Sequence, residues 1–107
     1  MAKAEKTVTG NFDDVVRKIE DGILNGSISA SLEDSSDFQI GDTYCSVRVF
    51  ERYSYAGGNR VSLNVTLFGN GDTIHVSAIT SGGSQAKFFK INTLGEEAFL
   101  DKFCEII

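Results

Sequence analysis

Val61-Ser62-Leu63-Asn64-Val65-Thr66-Leu67-Phe68-Gly69-Asn70-Gly71-Asp72-Thr73-Ile74-His75-Val76-Ser77-Ala78 is the stretch that decides the fold. Every second residue from Val61 to Leu67 is apolar, and so are Ile74, Val76 and Ala78. Alternation of this kind places one face of a strand on a core and the other in water. Asn70-Gly71 between the two runs suits a two-residue turn whose central residues need positive φ. That turn pairs Leu67 with Ile74, Val65 with Val76, Leu63 with Ala78 and Thr66 with His75. The residue pattern and the turn chemistry therefore agree on one antiparallel hairpin.

A third strand precedes it, from Thr43 to Tyr55. One face offers Cys45, Val47, Val49, Tyr53 and Tyr55; the other offers Tyr44, Ser46, Arg48, Phe50 and Arg52. Keeping the first set on the core with Val61, Leu63, Val65 and Leu67 requires an odd loop through Ala56-Gly57-Gly58-Asn59, with a glycine bulge. A three-residue loop puts Arg48, Thr66 and His75 in one row; a five-residue loop does the same for Arg52, Asn64 and Ser77.

The elements outside this sheet follow from periodicity. Thr7, Val8 and Thr9 mark a strand over 3–9. Asn11 is a good N-cap, and Asp13 and Asp14 suit the positive end of a helix dipole. Phe12, Val15, Val16, Ile19, Ile23 and Leu24 recur at helical spacing, so residues 12–24 form a helix, capped by Asn25-Gly26. Ile28, Ala30 and Leu32 alternate with Ser27, Ser29 and Ser31, which predicts a strand over 27–33. Residues 34–42 read as a loop, with Phe38 and Ile40 as buried anchors. Residues 86–92 fit either a short sixth strand or an early helical turn. Thr93 and Glu96 match a capping box, and Phe99, Leu100, Phe103, Cys104, Ile106 and Ile107 form an apolar stripe, so a second helix spans 94–106.

Composition bounds the rest. A chain of 107 residues is by default one domain, 1–107, and is long enough to bury a core without staples. The net charge of −5 argues against non-specific nucleic-acid binding, which needs clustered Lys and Arg. The acidic run Glu33, Asp34, Asp37, Asp42 reads as a solvated loop. Residues 1–6 lack the apolar segment of a signal peptide, and no run approaches a membrane span. With two cysteines, Cys45 and Cys104, both on apolar faces, the expectation is a cytoplasmic protein with reduced, buried thiols.

The expected architecture is α+β: a mainly antiparallel sheet in the order β-α-β-β-β-β-(β)-α, with both helices on the sheet face that carries Val61, Leu63, Val65 and Leu67. The layout resembles helix-grip and TATA-binding-protein-like folds. Three stretches carry a further resemblance. They are Glu51-Arg52-Tyr53-Ser54-Tyr55-Ala56-Gly57-Gly58-Asn59-Arg60-Val61-Ser62-Leu63-Asn64-Val65-Thr66, Ala78-Ile79-Thr80-Ser81-Gly82-Gly83-Ser84-Gln85-Ala86 and Phe89-Lys90-Ile91-Asn92-Thr93-Leu94-Gly95-Glu96-Glu97. With them the chain resembles a family of small bacterial proteins, chiefly of Firmicutes, described only as a domain of unknown function. The resemblance implies a small bacterial protein and brings no activity, cofactor or catalytic residue with it.

No motif names a reaction. Ser81-Gly82-Gly83-Ser84-Gln85 lacks the Gly-Lys-Ser/Thr of a phosphate-binding loop. His75 is the single histidine, without metal-ligand partners at a recognisable spacing, and no catalytic set, cofactor site or metal site is assigned. The outer sheet face is the first candidate site: Arg48, Phe50, Arg52, Asn64, Thr66, Phe68 and His75. A solvated face, a partner surface and a ligand site compete there, and the arginine–aromatic mixture is what suits a partner. Glu51 is the second. A carboxylate among Val47, Val49 and Tyr53 implies a bulge, a strand end, or a pocket lined by Glu51, Tyr53 and Tyr55. The two readings are therefore a non-enzymatic interaction module, homo-oligomeric through the open sheet face, and a small-ligand binder or enzyme with a cavity between the sheet and the C-terminal helix. The reading leans away from an enzyme.

Overall fold

Two hairpins of the sheet close on the same three residues. Gly41-Asp42-Thr43 and Gly71-Asp72-Thr73 each put glycine first in a two-residue turn, with φ of +58° and +62°. Glycine at that position is the type II′ requirement, and its twist matches that of the flanking strands. The computed structural model describes residues 1–27, 29–54, 59–82 and 99–107. Its strands are β1 (Ala2–Thr9), β2 (Ser31–Ile40), β3 (Thr43–Ser54), β4 (Asn59–Asn70) and β5 (Thr73–Gly82). The helices are α1 (Phe12–Gly26) and α2, described over residues 99–106.

The strands form one antiparallel sheet in the order β1-β5-β4-β3-β2. Strands β2 to β5 are a meander, and β1 closes the far edge beside β5. Helix α1 carries the chain from one edge of the sheet to the other. Asn11 caps it, its Oδ1 accepting from the Asp14 N–H at 3.1 Å, with Asp13 and Asp14 in the first turn. The helix runs through Gly26 and ends at an extended Ser27, rather than on the expected Asn25-Gly26 cap.

One face of the sheet is covered. Val16, Ile19 and Ile23 of α1 and Phe99 and Phe103 of α2 pack with Val61, Leu63, Val65, Leu67, Ile74, Val76 and Ala78. Both helices therefore lie on the expected face. They also meet each other: a Cβ on Gly22 would stand 2.6 Å from Ile106, so glycine sets their approach. Phe12 lies against Gly69, where a Cβ would stand 2.6 Å from its ring, and stacks on Tyr44 with centroids 5.5 Å apart.

Three expectations change. The β4–β5 turn is Gly71-Asp72, so Leu67 pairs with Val76, Val65 with Ala78 and Phe68 with His75. The shift is two residues and preserves the faces, because side chains alternate with period two. It also sets Gly69 opposite Ile74, leaving room for the Phe12 ring. Second, Ser54 pairs with Asn59, so four residues separate β3 from β4. An even loop inverts the expected faces of β3: Tyr44, Ser46, Arg48, Phe50 and Arg52 share the helix-covered side, and Cys45, Val47 and Val49 share the open side. Third, β2 occupies 31–40: the strand expected over 27–33 begins only at Ser31, residues 27, 29 and 30 lie outside it, and 34–40, expected as a loop, is strand. Phe38 and Ile40 are consequently exposed strand residues, at 54% and 80%, and not buried anchors. The proposed sixth strand over 86–92 and the Thr93–Glu96 capping box lie outside the described residues.

Among the described residues no helix is long and apolar enough to cross a membrane. Cys45 is half-buried and Cys104 exposed, so the expected burial of Cys104 does not hold.

Candidate functional site: the open face of the sheet

Among the described residues both helices cover one side, and none outside the sheet covers the other side of the five strands. Its rows read straight across the sheet. One holds Lys3, Ile79, Asn64, Val49 and Asp34; the next Glu5, Ser77, Thr66, Val47 and Ser36; the third Thr7, His75, Phe68, Cys45 and Phe38. Open faces of antiparallel sheets are normally polar. This one carries Phe38 and Phe68 at 54% and 55% exposure, in the same row with Cys45 between them. Ile79 and Tyr53 are also exposed, and Val47 and Val49 half-buried.

Charge sits at the margins of this apolar band. On the β1 side His75 Nε2 lies 3.2 Å from Glu5 Oε2, and Nδ1 lies 3.2 Å from Thr7 Oγ1. In the neutral ring, Nε2–H donates to Glu5 and Nδ1 accepts from the Thr7 hydroxyl. The hydrogen bond from His75, and then the charge of Lys3 at 3.6 Å, hold the Glu5 carboxyl below its usual range. At one end of the sheet Glu51 pairs with Arg60 at 2.9 Å, and Arg60 also donates to Ser31 Oγ at 3.2 Å. Glu51 is thus a paired carboxylate on the open face.

The covered face holds a different polar group. Arg48 is 8% exposed beneath α1. Its Nε donates to Glu20 Oε2 at 2.7 Å, and its Nη1 lies 2.9 Å from Asp37 Oδ1 and donates to the Val47 carbonyl at 3.0 Å. Burial is the largest single influence on the guanidinium and pulls its pKa down, but Asp37 and Glu20 together outweigh it and hold it above the usual value. The Ser46 hydroxyl, at 2.5 Å, and then Arg48 hold Asp37 below the usual carboxylate range. An open concavity of about 550 Å³ adjoins this cluster, with Phe12, Asp13, Phe38 and Tyr44 among its walls. The guanidinium beneath it is already committed through Nε and Nη1 to two carboxylates and a carbonyl.

The seven residues of the first candidate surface therefore divide. Asn64, Thr66, Phe68 and His75 lie together on the open face. Arg48 and Phe50 lie on the covered face, Phe50 fully buried. Arg52 is on that side too, its guanidinium 4.7 Å from the centroid of Phe99 and its pKa lowered by burial. The second candidate set divides as well. Glu51 and Tyr53 project on the side away from α2, so they cannot line a cavity beneath it, and Tyr55 lies outside the described residues. Phe38, Cys45, Val47 and Val49 are the open-face residues that sequence reasoning missed, while Ile79 lies on the open face as its alternation with Ala78 and Thr80 implies. The repeated Gly-Asp-Thr was the available signal: a second hairpin turn at 41–42 makes 31–40 a strand and brings Phe38 onto the sheet.

Among the described residues no three His, Cys, Asp or Glu side chains gather as a metal site would require. No curated protein matches the chain. A family of unknown function, DUF6054, matches residues 1–107, and the chain belongs to that family.

Proposed function

We propose that the chain is a non-enzymatic interaction module that associates with a second copy of itself through the open face of its sheet. The observation that carries this reading is the row Phe68–Cys45–Phe38, with Val47 in the next row and Val49 and Ile79 in the one beyond, on the side opposite the described parts of both helices. Large exposed apolar patches mark interaction surfaces.

Two further features support a face-on partner. Both edges of the sheet are guarded against strand addition: β2 carries Glu33, Asp34 and Asp37 with a register shift between Leu32 and Asp34, and β1 carries Lys3, Glu5 and Lys6. The face is also large enough. Five strands span about 24 Å and the eight residues they share about 26 Å, so two copies supply roughly 1,200 Å², the lower bound of stable specific interfaces.

Sedimentation velocity over a wide concentration range tests the proposal. The expected result is a reversible dimer that Phe68→Glu dissociates at least about tenfold without loss of folding, since a charge on a buried apolar contact is left unpaired. A monomer throughout the range overturns it.

A further inference from the structure

The sheet has β4 at its centre, two strands on either side, and unlike edges. A two-fold axis for face-to-face pairing lies between the two sheets, and the two arrangements that keep the strands of both copies aligned run along the strands or across them. The side-chain rows distinguish these choices. An axis along β4 lays each row on the same row of the partner, reversed end to end. Lys3 then stands over the partner's Asp34, Ile79 over the partner's Val49, and Asn64 over its own copy. In the next row Glu5 stands over the partner's Ser36 and Thr66 over its copy; in the third, Phe68 meets Phe68. An axis across the strands at Thr66 instead stacks Glu5 on Glu5 and sets Asp34 over the partner's Phe38. The first arrangement joins opposite charges at the rim and sets Phe68 on Phe68 and Ile79 on the partner's Val49, with Asn64 and Thr66 each on its own copy along the axis. The second sets like charges against each other at the β1 rim and an unpaired carboxylate on an aromatic ring at the β2 rim.

We infer that the open face is self-complementary about a two-fold axis parallel to β4, with Lys3 paired to the partner's Asp34 on both rims and Thr66 and Phe68 on the axis. This inference rests on the self-association proposed above and specifies its geometry. Asp34 is open to a cation, and Lys3 can reach it from its exposed ion pair with Glu5. Lys3 lies 3.6 Å from Glu5, a carboxylate at the same edge, and Asp34 accepts from the Ser35 N–H at 2.8 Å. No cation among the described residues pairs with Asp34. Facing sheets twist by about 30° relative to each other. The edge strands lie about 10 Å from β4, so that twist displaces the rim partners by roughly 5 Å, within reach of a lysine side chain.

Single cysteines in a Cys45→Ser/Cys104→Ser background test the axis, using a short bis-maleimide and native mass spectrometry. Thr66→Cys is expected to cross-link to its own copy in high yield. Lys3→Cys and Asp34→Cys are each expected to cross-link poorly alone and well when the two variants are mixed. Charge reversal gives an independent reading. Lys3→Asp and Asp34→Lys should each weaken the dimer by roughly tenfold, because a rim pair is replaced by like charges, and the double variant should restore it. A dimer in which Thr66→Cys does not self-cross-link and the double reversal does not restore association overturns the axis while leaving the proposed function standing. A monomer at every concentration overturns both.

Discussion

The two faces of β3 show why one strand serves two surroundings. On the covered side Phe50 is fully buried, and Arg48, at 8% exposure, is held by two carboxylates. On the open side Cys45, Val47 and Val49 are only half-buried. A polarity count alone would place the valines inside and the arginine outside. The structure does the reverse, because an arginine can be buried where α1 and β2 supply Glu20 and Asp37, while a valine can remain outside at small cost. What separates the faces is which side the helices cover, and that is fixed by the neighbours of β3, not by β3 itself.

The sharpest way to break this comparison is to truncate one aromatic on each face. Phe50→Ala should cost about 3–5 kcal/mol in urea unfolding, because it leaves a cavity among Leu63, Phe99 and their neighbours. Phe68→Ala should cost only about 0.5 kcal/mol in the monomer, since Phe68 is more than half exposed. Equal losses would mean that the open face packs as tightly as the core.

Arg48→Met tests whether the buried cation is structural. It strands Glu20, whose side chain is 27% exposed, and Asp37, at 58%. Removing one partner of a deeply buried pair costs several kcal/mol, and these two carboxylates keep partial access to water, so the expected loss is roughly 2 kcal/mol. A stabilised variant would show that hydrophobic contact with α1 outweighs the ion pairs.

The difference between the faces also explains what was legible in the sequence. Helix α1, the faces of the β4–β5 hairpin and the side carrying both helices followed from strong periodicity: Val61, Leu63, Val65 and Leu67 have only polar residues between them. Asn70-Gly71 and Gly71-Asp72 both suit a two-residue turn, however, and the register went to the second. β3 has apolar residues on both sides, so its face depended on the length of the loop to β4, and residues 55–58 carry two glycines compatible with several lengths. β2 was hidden for the opposite reason. Its Ser, Asp and Gln content reads as loop, and only its pairing with β3 makes it a strand. The candidate site inherited both errors. Thr66, Phe68, Asn64 and His75 lie on the expected face because a two-residue register change preserves faces, though His75 stands opposite Phe68 and not Thr66; Arg48, Phe50 and Arg52 moved with β3.

A smaller effect is expected in acid. Asp37 has a folded-state pKa below its ordinary 3.8, from the Ser46 hydroxyl first and Arg48 second. A lowered carboxylate stabilises the fold above its unfolded pKa, and that contribution is lost as pH falls through the folded value. Stability should therefore decline below about pH 4. Ser46→Ala should raise the Asp37 pKa toward its ordinary value, so the variant should be less stable than the parent above about pH 4 and lose less on acidification, the two converging at low pH, as followed by urea unfolding with circular dichroism. The side chain is more than half exposed, so the change in midpoint should be modest.

The smallest effect belongs to the open face. Glu5 is lowered mainly by its hydrogen bond to His75, with Lys3 contributing second, and both partners are solvent-accessible. His75→Ala removes the donor and leaves Lys3 in place. The Glu5 carboxyl, followed by NMR titration, should move up toward its ordinary 4.5 without reaching it. The folded state gains its preference for ionised Glu5 only above the unfolded value, so removing His75 can weaken the fold only near and above that pH, and water screens the loss. The measurement is best made on dilute protein. If the Glu5 pKa changes with concentration as well as with the His75 substitution, its environment includes a second copy, and the margin of the open face is part of an interface. If it depends on His75 alone, the carboxyl responds only to its own sheet.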